Sequence, residues 1–192
     1  MWLRQPHILE GTVVHATLKY LAAMATCAVF AASASAQSAK DIRGSSPLVA
    51  IADDKASPIF GVTIPAGYRQ WELIAPSHEA GSLDELRGIV GNAISMKAYQ
   101  DGALPFPDGA MLAKVAWKHV PSAEFDGAFV PGRPTTVQIM VKDSRRYAST
   151  GGWGFGRFID GKPVDEAQHK TCFACHSANV KEHDLVFTRY AP

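Results

Sequence analysis

The 192-residue chain carries 19 basic and 18 acidic residues, a net charge of +1, and is 47% hydrophobic, enough for one domain with a core. The charge balance argues against a nucleic-acid surface or a polybasic membrane patch. Three cysteines are too few for a disulfide scaffold or a four-cysteine zinc site.

Residues 1–36 read as an export signal. Arg4 and Lys19 precede an apolar tract from Tyr20 to Ala32, and Ala34-Ser35-Ala36 forms a small-residue cleavage pattern. The competing reading is an uncleaved membrane anchor, for which the apolar run is short. Removal of 1–36 takes Arg4, Lys19 and Glu10, leaving basic and acidic residues equal in number. It also takes Cys27. The expected organisation is a signal peptide at 1–36, a flexible lead-in at 37–46 and a single domain at 47–192, located in the periplasm, with no stable membrane insertion after processing.

Within that domain, Leu48 to Ala56 has the apolar spacing of a short helix. Tyr68 to Ala75 alternates as a strand after the Pro65-Ala66-Gly67 turn. Asp84 to Tyr99 is read as strand followed by short helix, and Pro105 to Gly109 as a firm turn. Met111 to Val120 gives the clearest strand: Met111, Ala113, Val115 and Trp117 share one face, with Leu112, Lys114, Ala116 and Lys118 on the other. Thr135 to Lys142 alternates again. Gly151 to Ile159 is expected as a further strand, with Trp153, Phe155 and Arg157 alternating with glycines. Such bare positions often mark close approach by another backbone or a flat ligand. Val164 onward is expected to be helical. This pattern predicts a mixed, sheet-centred domain and not a four-helix bundle, which requires long heptad-like helices.

The helix expected at the C-terminal end contains Cys172-Phe173-Ala174-Cys175-His176. Cys-x-x-Cys-His is the attachment signature of a c-type haem: the two thiols form thioethers to the porphyrin, and the histidine binds iron axially. After removal of Cys27, both remaining cysteines belong to this motif. His176 is therefore the expected iron ligand, and no methionine follows it. Electron-transfer cytochromes often take a second ligand from a downstream methionine, so an open sixth position and small-molecule chemistry are expected. His78, His119, His169 and His183 are weighed as distal ligands, but each is better read as a surface residue. Met96, Met111 and Met140 read as core fillers. Lys114 reads as a snorkelling lysine on a solvated strand face, or as a buried amine with a chemical use.

Six segments, PAGYRQW (65–71), DGAMLAKVAW (108–117), VKDSRRYA (141–148), GGWGFGRF (151–158), CFACHSAN (172–179) and VFTRYAP (186–192), resemble the cytochrome P-460 family of periplasmic mono-haem c-type proteins. The resemblance implies an α+β fold, a mainly antiparallel β-sheet with flanking short helices, the haem near the C-terminal helix, and a homodimer. It implies that Lys114 forms a further covalent bond to a porphyrin meso carbon, beside attachment through Cys172, Cys175 and His176. It also implies five-coordinate iron that binds hydroxylamine or nitric oxide. Where the family's enzymes carry a proton-accepting distal glutamate, this chain has Gln138, whose amide hydrogen-bonds but is no general base near neutral pH. Arg87 matches a pocket-side arginine more loosely, and a surface arginine is the alternative.

Two readings of function lead. One is a haem oxidoreductase with Lys114, Gln138 and Arg87 at its site, oxidising hydroxylamine or nitric oxide and passing electrons to a soluble cytochrome. The other is a non-catalytic module binding nitric oxide or carbon monoxide, as in the related beta-type cytochromes c-prime. A simple electron carrier is the third.

Overall fold

The computed structural model describes residues 54–191. The signal peptide expected at 1–36 and the lead-in at 37–46 lie outside the described residues. So does most of the helix expected from Leu48 to Ala56; its last three residues form a turn and a bend.

Six strands run β1 (Glu72–Glu79), β2 (Glu85–Gly91), β3 (Met111–Pro121), β4 (Phe129–Lys142), β5 (Trp153–Ile159) and β6 (Lys162–Pro163). They form one sheet in sequence order, and every neighbouring pair is antiparallel. Two α-helices flank it, α1 (Ala93–Asp101) between β2 and β3 and α2 (Glu166–Val180) after β6. The fold is α+β, and this order needs only local connections. Among the described residues, no helix is long and apolar enough to cross a membrane.

Two strands differ from their expected bounds. Tyr68–Gln70 is a 3-10 turn after Gly67, which sits at φ +73°, and β1 begins at Glu72 and continues through Pro76 to Glu79. The strand runs past the expected end at Ala75 because β1 is an edge strand, where the missing N–H of Pro76 is tolerated. Likewise β4 starts at Phe129, ahead of the expected Thr135. Pro131 and Pro134 oppose His119 and Trp117, where the register shifts and the ladder is already interrupted.

The strand glycines of β5 also differ in meaning. A Cβ at Gly154 would lie 2.3 Å from the Tyr147 ring, and one at Gly156 would meet Phe158 and Val62 at 2.7 and 3.0 Å. At both glycines the chain's own side chains make the close approach.

Asn92 ties α1 to the sheet. Its Oδ1 accepts from the backbone N–H groups of Ser95 (3.0 Å) and Met111 (3.1 Å), while Nδ2 donates to the Gly109 carbonyl (2.8 Å). This cap satisfies helix and strand donors together. Gly102, left-handed at φ 65°, ends the helix. For α2, Asp165 accepts from Gln168 N at 2.8 Å and starts the helix.

Apolar side chains pack on both faces of the sheet. On one, Trp153, Phe106 and Ile74 lie beneath α1 and the C-terminal tail. On the other, Phe158, Ile139 and Val62 pack with Tyr147. The tail returns across the molecule: Tyr99 Oη donates to Thr188 O (3.2 Å) and Ala191 N to Ile74 O (3.0 Å).

Candidate functional site

Strand register brings four residues that are distant in sequence into one row. Ile89 pairs with Lys114, Lys114 with Gln138, and Gln138 with Arg157. A second row places Leu112 beside Met140 and Met140 beside Phe155. Because strand side chains alternate between faces, these rows present the same face. It forms one wall of a cavity of about 370 Å³.

Helix α2 forms the opposing side. Cys172, Cys175 and His176 are spaced at i, i+3 and i+4, which puts them on one helix face, and all three line the cavity. Val186, Phe187 and Thr188 of the tail complete it. The site therefore gathers Cys172, Cys175, His176, Lys114, Gln138 and Arg87 around one space.

His176 is held by the chain that follows it. Its Nδ1 lies 2.6 Å from the Leu185 carbonyl, which can only accept, so Nδ1 carries the proton and Nε2 the lone pair. Phe155 and Phe187 lie 5.0 and 4.9 Å from the ring, centroid to centroid. Burial pushes the His176 pKa down, the Leu185 carbonyl opposes that, and the charge of Lys114 adds to the fall. The result is a neutral imidazole, the form that ligates metal.

The Leu185 carbonyl is itself braced. Asp184 and Leu185 both adopt left-handed backbone, φ 47° and 64°, a conformation that costs free energy for non-glycine residues. The Asp184 carboxylate offsets this by accepting from Lys142 Nζ (2.8 Å) and from Phe106 N (2.8 Å). Lys142 Nζ also donates to Gly151 O at 3.1 Å. Lys142 is buried and Asp184 is half-buried, at 6% and 12% side-chain exposure.

Lys114 faces the cavity and does not lie along a solvated strand face. Burial is the main influence on its amine. With the charges of Arg87 and Arg157, and against those of Glu85 and Glu79, burial lowers the pKa to about 8. A substantial neutral fraction near pH 8 makes it a usable nucleophile.

Arg87 is no free surface arginine, at 17% side-chain exposure. It pairs with Glu79 and donates from Nε (3.0 Å) and an Nη (2.8 Å) to Glu85, whose other oxygen accepts from Thr135 Oγ1 at 2.7 Å. Burial alone would raise the Glu85 pKa, but Thr135 and Arg87 outweigh it and hold the carboxyl below its usual range. A clamped cation and a fixed anion thus stand at the edge of the cavity.

The other histidines stand elsewhere. His169 is fully buried, which corrects its reading as a surface residue. Its Nδ1 donates to Asp165 O (2.9 Å) and its Nε2 accepts from Arg157 N (3.1 Å), so it joins α2 to β5. His78, His119 and His183 do not line the cavity, whereas Met140 does. Met96 packs in the core.

Sequence reasoning passed over Arg157, Ser77 and Phe155 as cavity residues. Arg157 carried a signal, because it alternates with Trp153 and Phe155, but only the register reveals its neighbours. Its Nε is buried without a hydrogen-bond partner among the described residues. An unpartnered guanidinium nitrogen in a cavity that also holds two thiols and a neutral imidazole suits a flat apolar group with carboxylate substituents. A c-type haem fits that donor set.

The family model for cytochrome P460 matches residues 65–188, a span that includes the whole sheet, α2 and the cavity wall of the tail. No curated protein matches the chain.

Proposed function

The chain belongs to the cytochrome P460 family, which is associated with covalently bound haem c, and on that premise we propose that it is an exported, periplasmic haem oxidoreductase acting on hydroxylamine or nitric oxide. The observation that carries this reading is the convergence of Cys172, Cys175 and His176 with Lys114 and Gln138 on a single cavity. Cys172 and Cys175 would hold the haem as thioethers, each thiol S–H adding across a vinyl double bond, and His176 would offer Nε2 to the iron. When bound, the haem would supply redox chemistry at iron for a small nitrogen compound.

The protein side chains define the rest. Lys142, Asp184 and the Leu185 carbonyl fix the His176 ring and its tautomer. The unpartnered Arg157 Nε would hold a haem carboxylate. The Lys114 amine is the candidate for a third covalent bond, to a meso carbon. That bond replaces one N–H and one C–H, so its formation needs a two-electron oxidant of the peroxide class. Gln138 donates a proton-bearing Nε2 to a bound ligand but has no basic atom to take a proton away. Proton removal then falls to water. The family resemblance supports a homodimer and a soluble cytochrome as electron acceptor.

Gln138 is also the specific reason for a second reading, in which the site binds nitric oxide or carbon monoxide without turnover. Hydroxylamine titration of the haem protein with an electron acceptor separates the two. Acceptor reduction that rises at least tenfold in Gln138→Glu, the size expected of a positioned general base (roughly 100-fold or more when fully effective), supports the oxidoreductase. A stable adduct without acceptor reduction in either protein contradicts it.

A further inference from the structure

A second cluster of ligand-type side chains lies away from the cavity and is used by none of the chemistry above. We propose that His78, Asp84 and His119 form a binding site for a divalent late first-row metal ion of the zinc type. His78 is on β1, Asp84 in the turn before β2, and His119 near the end of β3. Ser77 lines the cavity, so its strand neighbour His78 points to the opposite face of the sheet.

The spacing of donor atoms favours metal coordination. Asp84 Oδ1 lies 3.4 Å from His78 Nε2 and 3.3 Å from His119 Nδ1. All three donor atoms fall within 4.8 Å of one another. A charge-assisted N–H···O bond closes to about 2.7–2.9 Å. By contrast, bonds of about 2.0–2.2 Å from a tetrahedral zinc to nitrogen and oxygen set its ligands roughly 3.3–3.5 Å apart. The two separations from Asp84 match the ligand spacing and are long for a charge-assisted hydrogen bond, with the His78 contact still within hydrogen-bond reach. Two imidazoles and one carboxylate suit a borderline ion such as Zn²⁺, with solvent completing the shell.

The donors are also held in place. Asp84 adopts left-handed backbone at φ 46°, fixed by Asp84 N donating to Gly81 O (3.1 Å) and His119 N donating to Asp84 O (3.2 Å). The His119 ring stacks between His78 (4.5 Å) and Phe129 (3.9 Å) and is only 16% exposed. His78 and Asp84, at 41% and 52%, leave the site open to an incoming ion. Three chain segments would thus be joined by one ion, beside Glu79 and Glu85, the two carboxylates that clamp Arg87.

The test is isothermal titration of chelator-treated haem protein with zinc chloride in a non-coordinating buffer, which reads no redox chemistry and so stands apart from the haem reading. One equivalent of Zn²⁺ should bind per chain, with affinity at least tenfold weaker in both His78→Ala and Asp84→Asn. His78 is the more exposed imidazole, and asparagine tolerates left-handed backbone, so neither variant depends on rebuilding the strand. An unchanged haem spectrum in each variant shows an intact fold. Absence of binding, or an isotherm that neither substitution alters, overturns the proposal.

Discussion

The Lys114 ammonium sits where its charge is disfavoured, chiefly by burial and then by Arg87 and Arg157, which brings its pKa to about 8. In the unfolded chain the same amine titrates at about 10.4, as a free lysine does. Between about pH 8 and 10 the unfolded chain therefore holds a proton that the folded chain lacks, and stability of the haem-free protein rises with pH. Above about pH 10 the sign reverses. There Tyr99, whose pKa burial pushes up, keeps its proton only when folded. Lys114→Met should flatten the rise below pH 10 and stabilise the haem-free chain near pH 7 by about 3 kcal/mol. Urea denaturation across that range checks it, and parallel curves for the two proteins would contradict it. The alternation around Lys114 left both a snorkelling and a buried amine open. The pairing with Ile89 and Gln138 decides between them, and such pairings span too much chain to be read from local pattern.

At the scale of elements, α2 and the segment after it act as one unit. The i, i+3, i+4 spacing of Cys172, Cys175 and His176 is legible in the sequence, and so is the helix that carries it. The support for His176 is not. Lys142 reads as the last residue of a strand, yet its partner Asp184 lies 42 positions away, beyond α2. Lys142→Met leaves the half-buried Asp184 charge without its ion-pair partner, held only by Phe106 N, so it should cost roughly 1–3 kcal/mol in urea denaturation. Adding Asp184→Asn should recover part of that loss, since the pair is coupled. Additive losses in the double variant would show that the two side chains do not act together. The strands show a parallel limit. The alternation in β3 is plain, whereas the extension of β1 past Ala75 and the start of β4 are obscured by Pro76, Pro131 and Pro134, which are tolerated because of their places at an edge and at bulges.

In the molecule as a whole, the antiparallel order of six strands turns local alternation into a wall, and α2 with the C-terminal tail closes a space against it. The motif on α2 announced one side of that space, and Lys114, Gln138 and Arg87 belonged to the resemblance. Arg157 escaped notice because its neighbours come from β4 and α2 and its importance lies in a missing partner, a property that exists only once the chain is folded. Two thiols, the His176 imidazole and the Lys114 amine line the same cavity, and on the proposed reading they would hold a haem from both sides. The most direct measurement is peptide mass spectrometry of the haem-loaded protein after proteolysis. The account predicts that the peptide containing Lys114 travels with the haem and with the peptide containing Cys172 and Cys175. Release of the Lys114 peptide as a free, unmodified species would contradict it.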